Sequence, residues 1–226
     1  MNADGSGKYQ LTAQWVHVDD STHGSIEYGG ATGPVWSPDS KQIAFTRLMV
    51  PEAYGNTGIF ITSLQGKTER RFTQTLNMGE GPAGWTVDQR LLVARVAGSY
   101  TDSSGNFVIF NKIVSYNMEG KIVNEWGGQG EILWRWPILT SDDQRIALTI
   151  RQNGYEDIYV MEFPNGELTK VTDSGTRFKQ PLSWSPDDLS ILFNGGDLSQ
   201  GRTYGRVFVL NVASGGTKEI TPFSSV

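Results

Sequence analysis

The sequence of 226 residues contains no cysteine, and this absence excludes several kinds of site. Without thiols the chain has no disulfide framework, no zinc–thiolate centre and no thiol nucleophile. Histidine is scarce as well, since only His17 and His23 occur and both lie near the start. No Gly-x-Ser-x-Gly elbow and no phosphate-binding glycine loop is found. We therefore predict that the chain is not an enzyme and takes no cofactor.

Clusters of positive charge and long apolar runs are also missing. The net charge is −5, acids and bases are interspersed, and the adjacent pair Arg70 and Arg71 is the largest basic group. Phosphate binding needs a concentrated basic face, so we predict no nucleic-acid partner. No window approaches the roughly 18 apolar residues of a membrane span, and no signal-peptide pattern opens the sequence, so we predict no direct membrane span.

What the sequence does contain is a repeat. The segment GPVWSPDSKQIAF begins at Gly33, and a similar segment, QPLSWSPDDLSILF, begins at Gln180. Two degraded copies lie between them. When the four copies are aligned on Trp36, Trp85, Leu139 and Trp184, the steps are 49, 54 and 45 residues. A period of this size indicates a repeat architecture.

Each copy predicts four antiparallel strands. In the first copy the strands fall at residues 34–36, 42–46, 58–64 and 68–73, with turns rich in proline, aspartate and glycine. Hydrophobicity fades from the first strand to the last, as in a propeller blade whose outer strand faces water. The sequence predicts an all-β fold, a β-propeller of four-stranded antiparallel blades with four full blades.

The WSPD segments at residues 36–39 and 184–187, each followed by an apolar strand, resemble the TolB-like propeller repeat. Residues 1–12 (MNADGSGKYQLT) resemble the end of one more repeat, with a third-strand tail, a glycine turn and a fourth strand. The resemblance covers nearly the whole chain. It implies a single domain over residues 1–226, with about four full blades plus an N-terminal outer-strand piece.

Two interpretations of this N-terminal piece are open. The TolB-like family usually has six blades, so the chain is either a fragment or truncated ring of a longer propeller, or a small closed ring of four or five blades. In the second case the N-terminal strand would close the ring by pairing with the last blade.

The resemblance implies a bacterial envelope setting, because TolB-like proteins work in the periplasm as parts of larger assemblies. We predict a non-catalytic protein-binding or scaffolding propeller, a subunit of such an assembly at the periplasmic or extracellular face. Two alternatives stay open. One is the propeller portion of a hydrolase, like the gating domain of prolyl-oligopeptidase-type peptidases, and the other is a carbohydrate-binding propeller that uses exposed tryptophans.

The predicted contact surface comes from loops and aromatic residues. Loops at residues 49–57, 97–111 and 194–205 all join a second strand to a third, so they should emerge on one face of the disc. Residues 126–136 hold three tryptophans around a glycine loop, which suits either an exposed patch or the core. The predicted partner-binding residues are Tyr54, Tyr100, Phe107, Trp126, Trp134, Trp136 and Tyr204.

Two residue types recur with the repeat and are predicted to be structural. In every copy an aspartate lies three residues after the residue on which the copies are aligned. A catalytic residue would be expected in only one copy, so we predict that each aspartate caps its turn. These residues are Asp39, Asp88, Asp142 and Asp187. We predict that Trp36, Trp85 and Trp184 pack between adjacent blades, with the indole N–H on a neighbouring backbone carbonyl.

Two polar clusters have the composition of metal sites. His17, Asp19, Asp20 and His23 could supply ligands, but residues 14–20 and 25–28 also read as a polar hairpin. The oxygen-rich residues 102–106 lack the spacing and terminal glutamate of a calcium-binding EF-hand loop. We predict no metal at either place.

Overall fold

A computed structural model of the chain describes residues 10–14, 16–20, 24–50, 57–64, 69–73, 79–101, 105, 107–127, 133–152, 155–173, 178–196 and 206–221. These residues form seventeen β-strands, with no helix among them. Within these ranges there is consequently no helix of the length and apolarity that crossing a membrane requires.

The strands build four sheets that follow one another along the chain. Blade 1 contains β1 (Val16–Asp20), β2 (Gly24–Trp36), β3 (Gln42–Val50), β4 (Thr57–Ser63) and β5 (Glu69–Arg71). Blade 2 contains β6 (Glu80–Trp85), β7 (Leu91–Thr101), β8 (Phe107–Tyr116) and β9 (Ile122–Trp126). Blade 3 contains β10 (Leu133–Leu139), β11 (Arg145–Gln152), β12 (Tyr155–Glu162) and β13 (Leu168–Lys170). Blade 4 contains β14 (Phe178–Trp184), β15 (Ser190–Gly196), β16 (Arg206–Asn211) and β17 (Thr217–Glu219).

Within each sheet the strands pair antiparallel in chain order. The WSPD-type turn and the turn between third and fourth strands therefore lie at one edge of every blade, the turn edge. The connections between second and third strands lie at the opposite edge, the loop edge. The predicted fold of four-stranded antiparallel blades is confirmed, and the outer strands β13 and β17 are exposed along their whole length.

An extra hairpin extends blade 1. Strand β1 pairs with the first residues of β2, from Val16 opposite Tyr28 to Asp20 opposite Gly24. The hairpin that the alternating pattern suggested for this segment is therefore present.

The connection between the second and third strands of blade 2 differs from the prediction. Residues 97–111 were expected to form a loop, but β7 continues to Thr101 and β8 already begins at Phe107. The β-branched and aromatic residues of this segment favour strand over loop.

The two strands project beyond the rest of blade 2. Strand β6 pairs with β7 no further than Arg95, and β9 pairs with β8 no further than Ile113. Residues 96–101 and 107–111 therefore pair only with each other within the sheet. This two-stranded extension at the loop edge is the arm.

The core lies between the blades. One cluster joins blades 1 and 2, a second joins blades 2 and 3, and a third joins blades 3 and 4. Burying an isoleucine, leucine or phenylalanine side chain stabilises the fold by roughly 1.5–3 kcal/mol. Representative side chains are Ile59 and Val114 in the first cluster, Ile113 and Leu148 in the second, and Ile158 and Phe193 in the third.

The described strands form an arc with two ends. Each blade packs against the next, and no comparable packing joins blade 4 to blade 1 within the described ranges. The outer face of blade 1 is covered in part, because Leu11 and Val16 pack against a cluster that includes Tyr28, Phe45 and Phe60.

Candidate functional site

The WSPD-type turn at the turn edge is built in a similar way in every blade. The Ser37 hydroxyl donates to the Asp39 carboxylate (2.7 Å) and accepts the backbone N–H of Gln42 (2.9 Å). The Asp39 carboxylate also accepts the N–H of Lys41. The equivalent pairs are Thr86 with Asp88, Thr140 with Asp142, and Ser185 with Asp187. The prediction that these aspartates cap their turns is confirmed.

These hydrogen bonds stabilise the ionised carboxylates. Each of the four groups has a pKa lowered from its ordinary value of 3.8. The largest cause of the lower pKa is the Ser37 hydroxyl for Asp39, the Arg90 side chain for Asp88, the N–H of Gln144 for Asp142, and the Ser185 hydroxyl for Asp187.

The residue after each capping aspartate has a left-handed backbone. Ser40, Gln89, Asp143 and Asp188 have φ values of 57°, 63°, 59° and 55°. Most side chains are strained in this region, and aspartate tolerates it better than most. These residues occupy the same position in the aligned repeat, so the four turns share one backbone conformation at this residue.

Two of these left-handed residues connect consecutive blades. The Asp143 carboxylate of blade 3 accepts the backbone N–H of Val87 in blade 2. The Asp188 carboxylate of blade 4 accepts the N–H of Ser141 in blade 3 at 3.0 Å and its hydroxyl at 2.6 Å. This contact between consecutive turns is the clasp. Burial of the Asp143 carboxylate raises its pKa, although the Val87 N–H opposes that shift.

The sequence carries a signal for the clasp that the repeat analysis did not use. Val87 and Ser141 occupy the position that Pro38 holds in blade 1, and proline has no N–H to donate. The residue of blade 2 that would face Pro38 is Gln89 instead of aspartate. An N–H donor in one turn thus accompanies an aspartate in the next.

The three repeat tryptophans differ in their packing. Trp184 follows the prediction, because its indole N–H donates to the Ile138 carbonyl of blade 3 at 3.1 Å. Trp85 is buried between blades, but its indole nitrogen has no hydrogen-bond partner among the described residues, so the predicted bond is wrong there. The prediction is also wrong for Trp36, which is 55% exposed. Within the described ranges no blade precedes blade 1, so the Trp36 ring has no inner strand to pack against.

Trp126 is the one predicted contact residue whose side chain the structure describes. Its indole N–H donates to the Pro164 carbonyl at 2.8 Å, and its ring centre lies 5.1 Å from that of Phe163. Gly166 closes the turn beneath it with a φ of 81°. Trp126 thus joins the outer strand of blade 2 to the turn edge of blade 3.

Two other predicted contact residues lie near the tip of the arm. Tyr100 pairs with Val108, and Phe107 pairs with Thr101. The strands, and not an irregular loop, therefore position both residues.

The remaining predicted contact residues have less structural description. Trp134 and Trp136 lie in β10, which begins at the loop edge of the blade next to the arm. Tyr54 and Tyr204 lie outside the described residues, together with the rest of residues 51–56 and 197–205.

Buried ion pairs lie within blade 1 and between blades 3 and 4, and the sequence pattern did not predict them. Arg47 forms two hydrogen bonds of 2.8 Å with the Glu69 carboxylate and one of 2.7 Å to the Ala13 carbonyl. Between blades 3 and 4, the Lys179 ammonium lies 2.9 Å from the Asp157 carboxylate. A buried charge without a partner would be costly, and these ion pairs supply the partner.

A further buried network lies between blades 1 and 2. The Thr73 hydroxyl donates to the Glu80 carboxylate at 2.5 Å, and the Glu80 N–H donates to Thr57. At the joint between blades 3 and 4, Thr172 takes the place of Thr73 and accepts the N–H of Ile158 at 2.9 Å. These groups fix the start of the inner strand of the next blade.

The two clusters with metal-site composition are only partly described. His17 stands opposite Glu27 in the hairpin, with 3.8 Å between its ring nitrogen and the carboxylate, and both side chains are exposed. Among the described residues no group of three or more ligand side chains is gathered. The structure does not describe the side chains of Asp19 and Asp20, nor any part of His23 or of residues 102–104 and 106.

Comparison with solved structures shows the same architecture in known propellers. TolB from Acinetobacter baumannii superposes with a TM-score of 0.64 over 88% of this chain, at 19% identity. A TolB candidate from Agrobacterium tumefaciens superposes with a TM-score of 0.63 over 86% of this chain, at 18% identity. The chain has the TolB-like β-propeller fold.

The match is one of fold and not of length. This TolB-like propeller spans 49% of the Acinetobacter chain and 73% of the Agrobacterium chain. A puromycin hydrolase also superposes, with a TM-score of 0.60 and 18% identity, over 87% of this chain and 30% of the hydrolase. No family model matches the sequence, and no curated protein matches it.

Proposed function

We propose that this propeller is a non-catalytic binding module that presents its loop edge to a protein partner within a larger assembly of the bacterial cell envelope. The observation that carries the proposal is the arm of blade 2. A two-stranded ribbon is marginally stable in water by itself, and this one is rich in apolar and aromatic residues. Contact with a partner would stabilise such a ribbon.

The roles of the repeat carboxylates support a binding function over catalysis. Asp39, Asp142 and Asp187 accept N–H groups of their own turns, and Asp143 and Asp188 bind the turn of the preceding blade. In acid–base catalysis, the catalytic group lies within hydrogen-bond reach of the substrate and is able to donate or accept a proton. These carboxylates are instead hydrogen-bond acceptors of the scaffold.

The envelope setting is part of the same proposal. It is supported by the resemblance of the WSPD repeats and by the fold, which is that of TolB from the bacterium Acinetobacter baumannii. Release of the protein from source cells by osmotic shock would support a periplasmic location, and retention with a cytoplasmic marker would contradict it.

Charge substitution tests the proposed contact surface. Tagged protein is isolated from gently solubilised source cells, and the stoichiometry of co-purifying proteins is measured by mass spectrometry. We expect Tyr100→Glu on the arm, and Trp134→Glu at the loop edge, to reduce capture of a stoichiometric partner by about tenfold or more, because a desolvated charge would lie in the contact. Val87→Glu is the control, because Val87 is 66% exposed at the opposite edge.

Thermal unfolding of each variant shows whether the fold is retained. If Tyr100→Glu and Trp134→Glu proteins are folded and capture the partner as strongly as the wild type, the loop edge is not the contact surface.

A second proposal is that the chain is the propeller portion of a hydrolase. It is supported by the superposition on puromycin hydrolase, of which this chain spans 30%. The native protein would then have an intact mass far above 24.9 kDa and would react with a serine-hydrolase probe. A native mass of 24.9 kDa would contradict this second proposal and leave the first one standing.

A further inference from the structure

The interface between blades 1 and 2 lacks the clasp that joins the later blades at the turn edge. Pro38 occupies the position from which Ser141 donates its N–H to Asp188, and the left-handed residue of the next turn is Gln89. Gln89 is exposed, whereas Asp188, at the same repeat position, is 7% exposed. Among the described residues, the turns of blades 1 and 2 therefore share no contact of the clasp type.

The indole of Trp85 also lacks the hydrogen bond that its counterpart in blade 4 forms. Trp184 donates to the Ile138 carbonyl across the interface of blades 3 and 4. The Trp85 ring is buried at the equivalent place between blades 1 and 2, but its Nε1 has no hydrogen-bond partner in the part of the chain that the structure describes. A buried donor without an acceptor carries the cost of its desolvation.

A buried acceptor in the same interface is unpaired as well. Gln42 lies on the face of β3 that also carries Ala44, a member of the cluster joining blades 1 and 2. Its counterpart in blade 3, Arg145, donates to the Asp188 carbonyl and lies 5.1 Å from the centre of the Trp184 ring. The Gln42 Oε1 is buried, and no described residue donates a hydrogen bond to it.

The other end of β6 is firmly bonded to blade 1. The hydroxyls of Thr46 and Thr57 donate to the Glu80 carbonyl at 3.3 Å and 2.8 Å, and the Glu80 N–H donates to Thr57. Near the outer strands, the exposed Arg70 side chain donates to the Met118 carbonyl at 3.4 Å, a long bond that contributes little. The strong polar contacts between these two blades thus lie at the start of β6, and the unpaired polar atoms lie at the turn edge.

We propose that blade 1 is hinged on blade 2. The two blades separate transiently at the turn edge, about a pivot at Glu80, while blades 2, 3 and 4 move as one body. Water then reaches Nε1 of Trp85 and Oε1 of Gln42, so opening relieves the cost that both atoms carry in the closed form. The clasps hold the two later interfaces against the same motion. Local openings of this kind require less free energy than global unfolding.

The hinge would change the geometry of the loop edge. Because the pivot lies at the start of β6, rotation about it tilts blade 2, with its arm, relative to blade 1. The inference goes beyond the proposed partner binding and does not depend on it, since opening is a property of the free chain. Either of the two proposals can fail without the other.

Cysteine labelling measures the opening, since the chain has no cysteine of its own. Leu91 and Ile191 occupy the same repeat position just after the turn, and both are 0% exposed, in the clusters of blades 1 and 2 and of blades 3 and 4. In low urea, Leu91→Cys protein should react with a thiol reagent about tenfold faster than Ile191→Cys protein. Urea unfolding of each variant gives the contribution of global unfolding. Equal rates after this correction would overturn the proposal.

Grafting the clasp tests its role in the hinge. The pair Pro38→Ser and Gln89→Asp gives the interface of blades 1 and 2 the residues that Ser141 and Asp188 supply between blades 3 and 4. In this background the labelling of Leu91→Cys should slow by about tenfold, because the opening is then opposed by the new bonds. Circular dichroism shows whether the grafted protein folds.

The reverse variant removes a clasp that is present. Asp143→Gln places at the interface of blades 2 and 3 the residue type of Gln89 and removes the acceptor for the Val87 N–H. It should accelerate the labelling of Ile146→Cys, a 1% exposed position of the cluster joining these blades. Labelling that the graft does not slow, or that Asp143→Gln does not accelerate, would overturn the proposal.

Discussion

At the scale of single residues, one hydroxyl–carboxylate pair shapes every WSPD-type turn. In blade 3 the Thr140 hydroxyl accepts the N–H of Arg145, while Asp142 accepts the N–H of Gln144. Such local bonds satisfy backbone groups that a tight turn leaves unpaired, so they define the turn independently of blade packing. Pro38 fits this arrangement because no hydrogen bond within its turn needs an N–H at that position.

The lowered pKa values of the turn aspartates predict a loss of stability in acid. A carboxyl whose folded pKa lies below its unfolded value stabilises the fold above the unfolded value, and this effect is lost as pH falls through the folded pKa. The ordinary value is 3.8, so the free energy of unfolding should fall as the pH drops below that value. The raised pKa of Asp143 acts with the opposite sign, since protonation favours its folded environment.

Urea unfolding between neutral pH and about pH 3 measures this dependence. A double variant, Asp142→Asn with Asp187→Asn, should show a shallower decline in acid than the wild type, because two of the groups no longer titrate. Equal declines in the two proteins would mean that these caps do not couple folding to pH.

Among the secondary-structure elements, the interfaces between blades depend on a few tightly packed contacts. The clearest is the contact of Trp126, at the end of β9, with the turn between β12 and β13. A Cβ atom built on Gly166 would lie 2.7 Å from Cδ1 of the Trp126 ring, so only glycine fits beneath the indole. Glycine is thus required at position 166 for two reasons: the backbone has a positive φ, and a side chain would clash with Trp126 of the neighbouring blade.

Two glycine substitutions separate these requirements. Gly166 and Gly215 hold the same turn position in blades 3 and 4, with φ values of 81° and 68°, but a Cβ at Gly215 would meet nothing within 4 Å. Both alanine variants carry the left-handed strain of roughly 1–2 kcal/mol. Gly166→Ala should lose about 1–3 kcal/mol more than Gly215→Ala in urea unfolding, because it also displaces Trp126. Equal losses would show that Trp126 moves aside without cost.

At the scale of the whole molecule, the blades are held by contacts between neighbours. The three core clusters each join one consecutive pair, and the described strands show no comparable packing between the ends of the arc. A chain of this kind gains stability from each interface in turn, as repeat proteins do. The contribution of a side chain therefore depends on whether a blade lies beyond it.

One pair of equivalent valines tests this dependence. Val160 on β12 is 4% exposed under blade 4, whereas Val209 occupies the same repeat position on β16 and is half-buried, with no described blade beyond it. Val160→Ala should lower the free energy of unfolding by about 2 kcal/mol, through lost burial and a cavity. Val209→Ala should lower it by less than about half of that, because Val209 is only half-buried. Similar losses at both sites would contradict this dependence on a neighbouring blade.

Sequence patterns alone predict those parts of this protein that depend on local chemistry. Turn residues, the period of the WSPD copies and the decline of hydrophobicity from the first strand of each copy to the last predict four blades with antiparallel strands, because a blade is built from contacts close in sequence. The capping role of the aspartates follows from the same local logic. Of the contact residues, the sequence could identify unusual aromatics, but a local pattern does not show which neighbouring blade an aromatic side chain contacts.

Features that depend on the neighbour of each blade are seen only in the three-dimensional structure. Trp36 and Trp184 are equivalent residues of the repeat, but Trp36 is exposed and Trp184 is half-buried. The difference arises because blade 3 precedes Trp184, whereas no described blade precedes Trp36. The tertiary structure also extends the predicted loop of blade 2 into a paired arm, and it brings Asp143 and Asp188 to the turns of preceding blades. The contacts between blades join residues far apart in sequence, whose partners are known only once the blades are assembled in space.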